Sequence, residues 1–94
     1  MATNQKLLLE VKSKLKTGNQ AELNNKMKTI LKNAQKNFDD YTSTYEPDEK
    51  HVEKMTNEVE EIDKTFKQIQ MPYQENAKAL NQLKKMMGMW IQYK

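Results

Sequence analysis

Few side chains in this sequence can do acid–base, nucleophilic or metal chemistry, and their spacing limits what they could do. His51 is the only histidine and follows Asp48 by three residues, so on a helix the two share a face. An acid-x-x-His pair is one fragment of the ligand set of di-iron helical bundles. A complete set needs two histidines and several inward-facing glutamates, and here the neighbouring apolar positions leave no room for it. The pair therefore reads as a solvated histidine in a first helical turn. Ser13 and Ser43 have no base beside them, and no EF-hand loop, glycine-rich phosphate loop or zinc motif can be assembled. The absence of cysteine excludes thiol nucleophiles, thiolate metal sites and disulfides. These residues predict no catalysis, no cofactor and no metal.

Binding chemistry is better represented. All sixteen basic residues are lysine. Guanine readout and phosphate clamping favour the planar fork of arginine, so sequence-specific nucleic-acid recognition is disfavoured. Phe38, Tyr41 and Tyr45 are interleaved with Lys32 and Lys36, but their helical spacing places them on the stripe of Leu23 and Ile30, as core or core-edge residues rather than a stacking platform for bases. The segment Lys84-Lys85-Met86-Met87-Gly88-Met89-Trp90-Ile91 has more apolar residues than one helix face needs. Methionine adapts to irregular surfaces and tryptophan is enriched in binding hot spots. Lys84, Lys85, Met86, Met89 and Trp90 are therefore the expected partner-binding residues, with Gly88 open to close approach of another backbone. Such an excess of apolar surface also predicts a homodimer.

The elements that must position these residues follow from the hydrophobic pattern. Val52, Met55, Val59, Ile62, Phe66 and Ile69 fall at alternating steps of three and four, a heptad seam flanked by charge. Leu23, Met27, Ile30, Ala34, Phe38, Tyr41 and Tyr45 form a second stripe, with a period of about 3.7. Leu8, Val11 and Leu15 mark a short first helix, and Tyr73, Ala77, Leu80, Leu83, Met87 and Trp90 mark a last one. Thr3 or Asn4 caps the first, and Gly18 predicts a left-handed stop. Asn19 with Glu22 opens the second as an asparagine capping box, and Pro47 is expected at the first position of the third. Pro72 predicts a reversal, with a kinked continuous helix as the alternative. The expectation is an all-α antiparallel bundle in a single domain over 1–94, with helices at about 4–17, 20–43, 47–70 and 72–92 and a coiled-coil-like seam in the third.

Charge supports that order. Residues 1–38 carry eight lysines and two acids (+6), residues 39–63 two lysines and ten acids (−8), and residues 64–94 six lysines and one acid (+5). An antiparallel bundle can seat the acidic third helix between basic neighbours. Leu7-Leu8-Leu9 is broken at once by Glu10 and Lys12, too short for a signal or membrane segment, so a cytoplasmic protein is expected. The lysine and asparagine bias suggests an AT-rich genome, such as that of a low-GC bacterium or phage. The leading functional expectation is a non-catalytic protein–protein interaction protein of adaptor, chaperone, immunity or inhibitor type. The alternative is a peripheral binder of anionic membrane or nucleic acid through the basic, Met/Trp-rich last helix.

Overall fold

A computed structural model describes residues 3–92 as four helices, with no strand among them: α1 (Asn4–Ser13), α2 (Gln20–Thr44), α3 (Glu49–Lys67) and α4 (Gln74–Gln92). Side-chain contacts give their directions. Asn4 reaches the Ile30 carbonyl and Lys14 reaches Glu22, so α1 and α2 are antiparallel. Tyr41 lies beside His51 across a short loop, and Thr56 meets Met87 while Asp63 meets Lys84, so the chain reverses again at each later joint. The α2 and α4 helices run parallel in contact, from Asn24 with Asn76 to Phe38 with Trp90. The backbones of α1 and α4 stay apart.

The helix ends follow local chemistry, with four departures from expectation. Thr3 caps α1 by accepting from the Lys6 amide, but α1 stops at Ser13, a turn earlier than expected. Residues 14–17 form turns closed by Gly18 donating its amide to the Lys14 carbonyl at 2.6 Å. Gly18 does not have a positive φ. It is needed because a Cβ there would lie 2.5 Å from the Lys14 oxygen, closer than side chains tolerate. Asn19 caps α2 as expected, accepting from Ala21 and Glu22, but the Glu22 carboxylate turns to Lys14. Asp48, not a residue before Pro47, caps α3 by accepting from the His51 amide at 2.9 Å, which leaves the proline just outside the helix. An aspartate acceptor on a free amide stabilises a start more than proline's preset φ does.

The seam is real in packing terms. Met55, Val59, Ile62 and Ile69 are buried, with Val52 and Phe66 half-buried against them. Ile69 lies beyond the end of α3, so the stripe outlasts the helix by two residues. The reversal at Pro72 contains no glycine, and Asn24 holds it in place. The Asn24 amide nitrogen donates to the Gln20 and Met71 carbonyls (both 2.9 Å), and its oxygen accepts from the Tyr73 amide (2.9 Å). Asn76 donates to the Asn24 carbonyl at 3.0 Å, and Gln20 accepts from the Met71 amide at 3.2 Å. Both backbone groups flanking Pro72 are thereby satisfied by one buried side chain from α2. The charge order is also used: α1 and α4 each lend a lysine to α3, in the pairs Lys12 with Glu61 and Lys84 with Asp63.

Candidate protein-binding groove

The first helix has 10 residues and the second 25. Because Asn4 sits level with Ile30, residues 31–44 of α2, about 21 Å of helix at the usual rise, have no α1 beside them. Beside α1, from Thr3 to Lys12, a groove of about 770 Å³ opens between α1, α2 and α3. Its floor is Leu8, Phe38, Met55, Val59, Ile62 and Leu83, all part of the buried core. Its edges are exposed Gln5, Leu9, Asn37, Asn57 and Glu58. Leu9 is 65% exposed, an apolar side chain presented at the rim. The buried carboxamide oxygen of Asn4, another lining residue, has no hydrogen-bond donor. Nothing among the described residues covers this opening.

Electrostatics divide the molecule. Of thirteen carboxylate side chains, six are in ion pairs among the described residues: Glu10, Glu22, Asp48, Glu61, Asp63 and Glu75. The other seven all lie between residues 39 and 60, at the α2–α3 end where the groove opens. The Lys12 ammonium, by hydrogen bond and charge, holds the Glu61 carboxyl below the ordinary range. Burial pushes Asp63 up, but hydrogen bonds and charge from Lys84 and Lys67 outweigh it and the net direction is down.

An aromatic cluster at the same end was not legible in the sequence. His51 lies 4.6 Å from Tyr45 and 5.7 Å from Tyr41, centroid to centroid, with Nδ1 2.9 Å from Asp48 and 3.1 Å from the Glu46 carbonyl. It is half-buried, which corrects the expectation of a solvated side chain. Burial pushes the Tyr41 hydroxyl up, helped by nearby Tyr45, Asp48 and Glu58. Among the described residues no three histidine, aspartate or glutamate side chains converge as a metal site would require.

The structure divides the expected C-terminal patch. Trp90 is 8% exposed and packs edge-on against Phe38 (5.9 Å) and Tyr41 (6.2 Å), so it belongs to the core and not to a surface hot spot. Met86 is half-buried against the core, as are Met87 and Ile91. Lys84 pairs with Asp63 at 2.9 Å, while Lys85 is exposed and has no carboxylate partner among the described residues. Only Met89, 63% exposed, remains an apolar surface residue there. The physical reason is that α4 packs against α2 and α3 together, so its buried face is wider than a single stripe. The surplus of apolar surface from which a dimer was expected is therefore mostly covered within one chain. Outside its own stretch of helix, no atom of the described residues comes within 4 Å of a Cβ on Gly88, so no other element approaches it closely.

The fold and the groove together define a small all-α bundle with one incompletely filled helical position. No family model, curated protein or solved structure matches the chain. No helix among the described residues is long and apolar enough to cross a membrane.

Proposed function

We propose that this is a non-catalytic cytoplasmic protein that acts by binding another protein, in the manner of an adaptor, chaperone, immunity or inhibitor protein, and that it docks a helix of the partner in the α1–α2–α3 groove. The observation that carries this reading is the groove itself: an apolar floor with a polar rim, at the point where two long helices continue past a short one. A helix laid in such a groove buries its apolar face against residues spaced to receive it. Methionine at the floor, as Met55 here, accommodates side chains of different shape. A photo-crosslinking residue at exposed Leu9, compared with one at exposed Met89, tests the proposal in extracts of cells that make the protein. Discrete adducts from position 9 that disappear when Asn37→Trp fills the groove support it. Adducts from position 89 alone would move the contact to α4.

A second reading, binding to anionic membrane or nucleic acid, draws on Lys28, Lys32 and Lys36, which recur at four-residue steps along α2, the last two without a carboxylate partner among the described residues. It has lost its interfacial tryptophan, since Trp90 is inside. Retention on anionic vesicles or duplex DNA at low but not high salt would favour it.

A further inference from the structure

The groove has a charge preference that its shape alone does not reveal. Building on the docking reading above, we propose that its occupant is a basic amphipathic helix of another protein, with aliphatic residues on the buried face and lysine or arginine along both flanks.

Three independent features support this. First, α1 shows what this surface accepts. It is a lysine-bearing helix, with Lys6, Lys12 and the following Lys14 and Lys16 against the single acid Glu10. It buries Leu8 and Val11 and sets Lys12 on Glu61 of α3. Glu58, three residues before Glu61 on the same side of α3, lines the groove too and has no ion-pair partner among the described residues, so it is open to a further cation. Second, residues 39–60 carry eight acids and two lysines, so the open end lies in a negative field. One of those lysines, Lys54, is held over the Tyr41 ring, 5.2 Å from its centroid. Third, Asn4 lines the groove, and its buried carboxamide oxygen accepts from no donor among the described residues. Lysine and arginine supply only donors, whereas an acidic helix would set carboxylates against Glu58 and leave Asn4 unanswered. Exposed charge pairs add little affinity each, so the preference acts mainly through long-range attraction and exclusion of acidic helices, and it weakens with salt.

The test uses the full chain and two fluorescently labelled amphipathic peptides. Both are as long as the uncovered stretch of α2 and have the same leucine face, one with lysine and the other with glutamate flanks, and binding is followed by anisotropy. The lysine peptide is expected to bind about tenfold tighter or better at low ionic strength, an advantage that shrinks in high salt. The change Glu58→Lys, at the groove's rim, should remove most of that advantage. Asn37→Trp, at an exposed position, should keep the parent's helicity and melting curve yet block both peptides. If both peptides bind equally to the parent and Asn37→Trp blocks both, the groove stands and the charge preference is overturned. If the lysine peptide binds Asn37→Trp as well as the parent, it sits on the acidic surface elsewhere and the proposal fails. If neither peptide binds, the docking reading falls with it. A dimer of the free protein that Asn37→Trp dissociates would assign the groove to a second copy instead, again overturning the proposal.

Discussion

Asn24 carries more of the fold than any other polar residue. It is fully buried and makes hydrogen bonds to Gln20, Met71 and Tyr73 that hold the reversal around Pro72. Asn24→Ala leaves the part-buried Met71 carbonyl and Tyr73 amide without their partner, each costing about 1–2 kcal/mol. We therefore expect urea unfolding to show a loss of roughly 3 kcal/mol, with the melting of Asn25→Ala, at an exposed neighbour, close to the parent's. Nothing in the sequence distinguished Asn24 from the other eight asparagines, because a polar residue off the apolar stripe reads as solvent-facing. Trp90 was half legible: the stripe placed it inside, while the crowd of methionines around it suggested a surface hot spot. As a buried residue it should emit at short wavelength in the free protein. Trp90→Ala should cost about 3–5 kcal/mol of stability, and a red-shifted emission with an unchanged melt would contradict its place in the core.

Helix existence, order and approximate ends were readable from apolar spacing and caps, because the 3.6-residue period and the Thr3 and Asn19 side chains act locally. What spacing could not give was how far α1 reaches along α2, which depends on the tight turn after Ser13. The two glycines separate the effects. A side chain at Gly18 meets the Lys14 backbone at 2.5 Å, whereas one at Gly88 meets nothing within 4 Å. Gly18→Ala should destabilise by about 1–3 kcal/mol as the turn shifts. Gly88→Ala, inside exposed α4, should stabilise by up to about 1 kcal/mol through helix propensity. Thermal melts of the two variants should move in opposite directions, and a shared direction would contradict the local geometry described for one of them. The groove is the consequence at this scale. The sequence held its signal in the contrast between a short first helix and a long second one, but not the side chains that line it.

Across the whole molecule, ion pairs tie α3 to its neighbours and set how the fold responds to acid. Lys26 holds Glu10 below the ordinary carboxylate range, Lys14 does the same for Glu22, and Lys12 for Glu61; Asp48 is lowered chiefly by the His51 amide. Asp63 also ends low, although burial opposes the pull of Lys84 and Lys67. A carboxyl with a lower pKa folded than unfolded contributes its full stability above the unfolded value, about 4, and loses it as pH falls through the folded one. Stability should therefore be flat near neutrality and decline on acidification below that range. Asp63→Asn should weaken the fold at pH 7 and flatten its acid decline, and an unchanged acid profile would mean that the α3–α4 pair carries little of it. The same charge layout leaves seven carboxylates between residues 39 and 60 without an ion pair among the described residues, one of them, Glu58, at the rim of a groove with an apolar floor. The most direct test of that site is a backbone amide NMR titration of the intact protein with the lysine-flanked amphipathic peptide. Resonances of Leu9, Asn37, Asn57 and Glu58 should move together and saturate while those of Lys85 and Met89 stay in place; shifts confined to Lys85, Met89 and their neighbours on α4 would contradict the groove.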